Sequence, residues 1–521
     1  MTRKIIIGSR GSELALWQAN HILRKLQKQG LVAEIKIIKT QGDEIQDLSF
    51  DKLEGKGFFT KEIEDAIINK EIDLAVHSHK DLPTTSPPAG GLKIAAVSER
   101  EDPAELILVR KESVDKSLKF FFKKNAIVGT SSTRRKSQLL SFRNDISIND
   151  LRGNVPTRIQ KLRDKKYDAI MLAAAGVERL KIDLTEFKVV RVDPKEFVPA
   201  PAQGVLAMQI REDDFELFQQ VNKLNSEKVE DTIGIERKVL NLFDGGCSLP
   251  LGVYCIREDN KFKVWVSKAD TWDASPKRLY QESFTDQGFA EAIVKKLNEI
   301  KPCSVLITRD LDDTSVFKNS LEGNGYKVSG MSMIETKTVE IKNAPLTDWV
   351  FFASSNAVDS FFTQNPELKP KTKFGVIGKS TEFALKKFDR NAAFVGSVND
   401  TKVVGRKFAK TVGAETVLFP QAKGGLRTIQ QQFEDTTKLN DLVVYETVKK
   451  DTSKLPKAEI LVFTSPSNVE SYFEKHKITG KQKVIAIGKS TEKKLNENGV
   501  ENCVLPQSFD EVGLTEAVFG L

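Results

Sequence analysis

The sequence predicts an α/β fold divided into several units, on three observations. Short apolar runs alternate with segments of helical period through most of the chain, the pattern of strands interleaved with covering helices. At 521 residues the chain exceeds what one hydrophobic core holds, about 250 residues, so about three to five compact units are expected. Beyond Lys301-Pro302, FFASSNAVDSFF (351–362) is echoed by LVFTSPSNVESYF (461–473), and GVIGKSTEFALKK (375–387) by VIAIGKSTEKKL (484–495). An echo about 110 residues on points to two similar α/β lobes rather than a solenoid.

The elements follow in order. KIIIG (4–8) is a strand, and Ala15, Ala19, Ile22, Leu23 and Leu26 then fall at helical spacing behind Ser12, a residue type that caps helix N-termini. EIKIIK (34–39), IDLAVH (72–77), LILVR (106–110), AIVGT (126–130) and DAIMLAAA (168–175) are further strands, several followed by helical segments, so the sheets are parallel or mixed. The pattern breaks around Pro199-Ala200-Pro201. From 222 to 300 it resembles a smaller α+β unit, with alternation in KFKVWVSKAD (261–270).

Composition excludes several classes. Hydrophobic content of 40% and charged content of 29% describe a globular chain rather than a disordered or fibrous one. MTRKIIIGSRG has an apolar run of only three residues, and no eighteen apolar residues run together, so neither signal peptide nor membrane span is expected and the cytoplasm is the expected location. Cys247, Cys255, Cys303 and Cys503 show no C-x-x-C spacing, which makes free thiols the expectation, with no disulfide framework and no metal site. The net charge of +8, from 80 basic and 72 acidic residues, is too diluted for a nucleic-acid partner.

Basic residues gather instead at strand-to-helix turns: Arg10 in Ser9-Arg10-Gly11-Ser12, Arg134 and Arg135 after Thr130-Ser131-Ser132-Thr133, Arg152 and Arg158 in LRGNVPTRIQ, and Lys80 in SHKDLP. A lone arginine is normally a solvated surface charge. Cations in a first helical turn oppose the helix dipole, which favours acids there by about 0.3–1 kcal/mol each. Repetition at several turns implies an anion between them, and arginine forks match carboxylate or phosphate. Asp81 is an acid among these bases, serving either to pair with Lys80 or cap a turn, or to move a proton or stabilise a developing cation. In DGGCSLPLG (244–252), Gly245 and Gly246 leave room beside Cys247, and a basic cleft would favour its thiolate as nucleophile or attachment point. The other three cysteines read as small buried hydrophobes.

In order, SRGSELALWQ (9–18), GKGFFTKEIE (55–64), AVHSHKDLPT (75–84), EREDP (99–103), GTSSTRRKSQL (129–139), LRGNVPTR (151–158) and GGCSLPLG (245–252) resemble the hydroxymethylbilane synthase, or porphobilinogen deaminase, family over residues 1 to about 300. The resemblance implies two periplasmic-binding-protein-like α/β domains, 1–98 with 196–220 and 99–195, and a small α+β domain, 221–300, that carries a dipyrromethane cofactor covalently on Cys247. It implies a transferase that condenses four porphobilinogen units, each losing ammonia through a reactive azafulvene, into hydroxymethylbilane. By motif position, Asp81 resembles the catalytic acid/base, with Lys80 beside it. Lys80, Asp81, Ser132, Arg134 and Arg135 resemble cofactor-binding groups, and Arg10, Ser12, Phe59, Arg152, Arg158, Arg179 and Gln203 substrate-binding ones. His79, Thr133 and Ala202 depart from the residues usual in these motifs, and none of the three removes a charged group.

GKST at 378–381 and 488–491 is not a nucleotide loop, because Lys373 and Lys483 stand where such a loop needs glycine. SVLITRD (304–310), ASSNAV (353–358), VIGKSTEFAL (376–385), VVYET (443–447), FTSPSNV (463–469), AIGKSTEKKL (486–495) and the repeat resemble uroporphyrinogen-III synthase. That implies a lyase of two α/β lobes, 303–338 with 446–521 and 339–445, closing hydroxymethylbilane with inversion of ring D. Tyr445, Ser465 and Thr491 are its candidate site residues, each equally readable as a cap or core residue. The partners are then small molecules, porphobilinogen and hydroxymethylbilane, and a monomer is expected. The rival readings are a two-lobed carboxylate-binding protein, or a C-terminal half that is inactive or regulatory.

Overall fold

The computed structural model describes residues 3–40, 60–83, 91–244, 249–396 and 400–521. The chain divides into two compact units, one running to Lys301 and the other beginning at Pro302.

The first unit holds three sheets. One is mixed, with strands in the order Ala33–Ile37, Ile5–Ser9, Leu74–Ser78, Leu206–Arg211 and Leu92–Val97. The first three run parallel, and Leu206–Arg211 is antiparallel to both its neighbours. That strand arrives only after the chain has left to build a second mixed sheet, Ser147–Asn149, Ile127–Gly129, Ala169–Ala173, Glu105–Arg110 and Phe187–Val192. Two crossovers, near residues 98–104 and 193–205, therefore join the two sheets. The third sheet is an antiparallel meander, Leu251–Glu258, Lys261–Lys268 and Lys277–Ser283. Helices Glu227–Leu242 and Phe289–Glu299 bury Ile235, Val239, Ile293 and Leu297 against its apolar face, as the alternation in KFKVWV requires.

Local chemistry explains the helix starts. Ser12 caps Glu13–Lys28 by accepting from the Ala15 amide, and Ala19, Ile22 and Leu26 form the buried stripe. Asn154 caps Val155–Arg163, with Pro156 in the first turn where its missing N–H is not needed.

The second unit has two sheets. Lys327–Gly330, Ser304–Ile307, Ile460–Phe463 and Lys483–Ala486 are all parallel. Trp349–Phe352 and Ile460–Phe463 are buried along their whole length, the signature of strands covered on both faces. The other sheet runs Ile334–Thr338, Leu439–Lys449, Val417–Ala422, Trp349–Phe352, Lys373–Val376 and Ala392–Val395. Here the sequence-based lobe boundaries need correction. Residues 334–338 and 446–449, expected in the first lobe, lie in the second sheet. Leu439–Lys449 outruns its parallel partner, and its far end, from Tyr445 to Lys449, pairs antiparallel with Ile334–Thr338, which satisfies backbone groups left over by the shorter strand.

One contact between the crossovers admits no side chain. Gly204 has φ +92°, and a Cβ there would stand 2.4 Å from the carbonyl oxygen of Glu101. Gly204→Ala is expected to cost about 2–4 kcal/mol in urea denaturation, from left-handed strain plus a backbone clash. A loss below about 0.5 kcal/mol, the range of neutral surface changes, would contradict this close approach.

Candidate active site

Helix Thr133–Phe142 begins behind Ser132 and carries Arg134 and Arg135 in its first turn, as the sequence predicts. The anion they meet is the chain's own. Glu105, fully buried at the start of its strand, accepts from Arg134 Nη2 through one oxygen and Arg135 Nη2 through the other, each at 2.6 Å. Arg134 Nη1 donates to the Val198 carbonyl at 2.9 Å and Arg135 Nη1 to that of Met171 at 3.1 Å. Arg135 Nε is buried with no hydrogen-bond partner among the described residues.

Gln203 extends the network. Its Nε2 donates to the Pro103 carbonyl at 2.8 Å and to Glu105 at 3.2 Å, and its Oε1 accepts from Lys80 Nζ at 3.2 Å. Lys80 and Asp81 belong to a single 3-10 turn, His79–Asp81, after strand Leu74–Ser78. That turn is held from below, where Arg237 donates to the carbonyls of His79 at 3.0 Å and Pro83 at 2.6 Å. Asp81 is exposed and Lys80 half-buried.

The electrostatics are those of a crowded cationic cluster. Burial, then repulsion from Arg135 and Arg134, pushes the Lys80 ammonium down to about 8, with Asp81 and Glu105 opposing. Burial would raise the Glu105 carboxyl, but Arg135 and Arg134 outweigh it and hold Glu105 at about 2. Burial and Arg135 bring Arg158 down to about 10, with Asp81 opposing. One buried carboxylate thus anchors a surplus of positive charge. Arg135 Nε has no partner among the described residues and the Ser132 hydroxyl makes no capping bond, and both are donors of the kind that match a carboxylate.

Ser12 spends its hydroxyl on a cap. Arg158 Nε donates to the Gly153 carbonyl at 2.7 Å, and Arg10 and Arg152 are half-buried. Arg179 donates to the Gly204 carbonyl at 2.8 Å. Cys247 and Phe59 lie outside the described residues.

Glu105, Arg237, Glu236 and Arg100, which the sequence reading missed as site residues, hold the site together. Glu236 accepts from Arg100 Nη1 at 2.6 Å and Nη2 at 3.2 Å, from the Ala202 amide at 2.6 Å and from the Cys255 amide at 2.8 Å. Arg100 Nε also donates to the Gln203 carbonyl at 3.0 Å. A single buried carboxylate therefore pins both crossovers to the third sheet. The signals were present: Glu105 opens an apolar run, and Glu236 interrupts the stripe Val229, Ile233, Val239. Ala202, the departure from the usual glycine, has φ +59°. Its methyl packs with Val97, Val205 and Ile233, so burial worth about 0.8 kcal/mol offsets much of a strain of about 1–2 kcal/mol.

A cavity of about 650 Å³ in the same unit is bordered by Arg100, Glu101, Tyr254 and Arg257. Arg100, one of its cations, is already paired with Glu236. In the second unit a cleft of about 430 Å³ is lined by Thr308, Arg309, Ser332, Asn356, Lys450 and Ser465, among others. It lies beyond the carboxyl ends of strands Ser304–Ile307 and Ile460–Phe463, where open α/β sheets bind ligands. Ser465 lines it and caps helix Pro466–Phe473. Tyr445 and Thr491 do not line it: Tyr445 is buried with its hydroxyl 3.2 Å from Ser354 Oγ, and Thr491 is buried inside helix Lys489–Glu497, whose cap is Gly488.

The family model described as porphobilinogen deaminase, dipyromethane cofactor binding domain, matches residues 5–219. The chain is 45% identical over 257 residues to the porphobilinogen deaminase of Oceanobacillus iheyensis, spanning 48% of this chain and 80% of that protein. The chain belongs to the porphobilinogen deaminase family. The Bacillus subtilis porphobilinogen deaminase is 44% identical over 261 residues, 49% of this chain and 80% of that one. Fused to the deaminase is a region, residues 315–516, matched by the model of uroporphyrinogen-III synthase HemD. Among solved structures the chain is similar to uroporphyrinogen-III synthetase from Helicobacter pylori, at 19% identity and a TM-score of 0.31, over 40% of this chain and 96% of that one. It is also similar to a Salmonella typhimurium periplasmic binding protein of high arginine specificity, at 13% identity and a TM-score of 0.26, over 43% and 92%.

Glu105→Gln tests the anchoring carboxylate. Leaving two buried guanidiniums short of their counter-ion is expected to cost about 3–5 kcal/mol at pH 7. Because its folded value lies below the unfolded 4.5, the charge of Glu105 contributes stability that is fully present above 4.5 and lost as pH falls through about 2. Urea midpoints followed from neutral pH into that window should fall more steeply for the parent than for the variant. Parallel curves would remove Glu105 from this role.

Proposed function

We propose that the first unit assembles four porphobilinogen molecules into hydroxymethylbilane with release of ammonia, on a dipyrromethane held by Cys247, and that the second closes the product to uroporphyrinogen III with ring D inverted. The observation that carries the reading is the cluster of Lys80, Arg134, Arg135 and Arg158 around one internal carboxylate, with Asp81 exposed beside it. Each pyrrole unit brings an acetate and a propionate, and the surplus cations answer them.

The donor set fits the cofactor. Lys80, Ser132 and Arg135 would hold its carboxylates, Arg135 through a buried Nε that has no partner among the described residues, and Cys247 would form the thioether. When bound, the dipyrromethane supplies the pyrrole carbon on which the chain grows. Asp81, on a turn fixed by Arg237, accepts from pyrrole N–H groups and steadies positive charge as ammonia departs. Lys80, at about 8, is mostly cationic at pH 7 and keeps the neighbouring carboxylates in place. Arg10, Ser12, Arg152, Arg179 and Gln203 complete the substrate channel in this reading, with Phe59 packing over the rings. Residues 1–98 with 196–220, 99–195 and 221–300 are its three domains.

In the second unit the cleft cations Arg309 and Lys450 are already paired with Glu511 and Asp310, so the helix N-terminus at Ser465 is what remains to meet the same acid side arms. Tyr445 and Thr491 support the lobes from within. No described helix is long and apolar enough to cross a membrane. We take the protein to work as a monomer in the cytoplasm.

Asp81→Ala should fold with unchanged stability and lose about 10²–10⁴-fold in kcat, the span of a lost general acid/base. Near-parental turnover would remove Asp81 from the chemistry. Given porphobilinogen alone, the full chain should release uroporphyrinogen III. Type I as the sole isomer would show the second unit to be inactive.

A further inference from the structure

Arg179 is the least explained of the arginines. It stands in the last turn of helix Ala174–Leu180, which follows a strand of the second sheet, and is only 7% exposed. Helix Glu13–Lys28, which covers the first sheet, packs against that helix, with Leu14 approaching Gly176. On this first helix Trp17 and His21, one turn apart, stack with ring centroids 5.1 Å apart and planes within 11°. The Arg179 guanidinium lies over the Trp17 ring, 5.6 Å from its centroid. Arg179 Nη2 donates to the Gly204 carbonyl at 2.8 Å, while Nε is buried without a hydrogen-bond partner among the described residues.

One side chain thus joins the second sheet's helix, the crossover at Gly204 and an aromatic face on the first sheet's helix. The arrangement is incomplete, because a buried guanidinium N–H without an acceptor costs free energy that an arriving carboxylate would recover. A cation–π contact is modest and reversible, which suits a contact made and broken repeatedly. Resting on the deaminase reading above, we propose that Trp17 and His21 are positioning residues. Their stack holds Arg179 in a latch between the first two sheets, and the latch opens to present the guanidinium to an acetate or propionate of the lengthening chain.

The groups facing His21 give the latch a sign with pH. Arg24 and Lys25 lie on its own helix, Arg179 on the opposing helix and Glu101 on the crossover. Burial, then Lys25, Arg179 and Arg24, push the imidazole below its ordinary 6.5, and Glu101 alone opposes them. The closed latch therefore holds neutral His21, and protonation adds a cation beside Arg179. The latch loosens as pH falls.

The test compares the full chain with Trp17→Leu, His21→Ala and His21→Phe, the last keeping a ring but losing the titration. Backbone hydrogen exchange is read over residues 13–28 and 174–180, and kcat and KM are measured from pH 7.5 to about 5.5, the span in which histidines titrate. Trp17→Leu and His21→Ala should raise exchange in both helices by about tenfold at neutral pH and lower kcat more than they change KM. His21→Phe should keep the slow exchange and lose the fall in protection, taken relative to the intrinsic exchange rate at each pH, that the parent shows as pH drops. Exchange within about twofold of the parent in Trp17→Leu, or the same acid fall in protection surviving in His21→Phe, would overturn the latch. If Trp17→Leu does not fold, the two His21 variants decide. Intact mass separates the two levels: a parent without the dipyrromethane adduct sinks the deaminase reading and the latch with it, while a loaded parent with indifferent variants sinks the latch alone.

Discussion

The deaminase unit depends on the meeting of one carboxylate with two guanidiniums. Glu105 is sealed from solvent and grips Arg134 and Arg135, one on each oxygen. Burying this much charge is costly, and the Coulombic return repays it only when the geometry is good and the remaining donors are satisfied. Arg134 meets that condition with the Val198 carbonyl, and Arg135 nearly does. The position left open, Arg135 Nε, is where a ligand oxygen would complete the set. The interaction does two things at once, fixing a helix start that the dipole would disfavour and keeping guanidinium forks in place before any ligand arrives.

A second carboxylate does for the architecture what Glu105 does for the site. The chain leaves the first sheet, builds the second and returns to insert Leu206–Arg211, so every motion between those sheets must pass through two crossovers. Glu236 fastens both to the third sheet through Arg100, Ala202 and Cys255. Gln203, on the returning crossover, is bonded in turn to Lys80 and Glu105. A shift at the crossovers is therefore felt at the turn that carries Lys80 and Asp81 through a continuous set of hydrogen bonds. Arg237, one residue along the helix from Glu236, supports that turn directly.

Much of this was legible in the residues. Apolar runs located the buried strands, Ser12 announced its helix, and arginines in a first helical turn signalled a missing anion. What stayed hidden follows from physics that periodicity does not carry. Glu105 reads as the polar edge of a strand, and only the assembled sheet shows that the edge is buried beside the helix start. Ile334–Thr338 has one apolar residue in five positions, and its strand exists because Leu439–Lys449 offers it backbone partners. In the second unit Arg309 lies inside the quoted SVLITRD motif, but Ser332 and Lys450 come from segments far apart in sequence that no local motif marked. Tyr445 and Thr491 were singled out by motif, and burial puts both away from the cleft.

The two units share a physical logic. In the proposed function the first unit meets acid side arms with its arginine cluster and the second with the helix N-terminus at Ser465. The account stands or falls on the tether that keeps the growing, many-charged chain within reach of those groups. Peptide mapping of the reduced, freshly purified protein by mass spectrometry tests it most directly. The account predicts that the peptide containing Cys247 carries two linked pyrrole units and that peptides bearing the other three cysteines are unmodified. An unmodified Cys247 peptide, from protein that still consumes porphobilinogen, would contradict it.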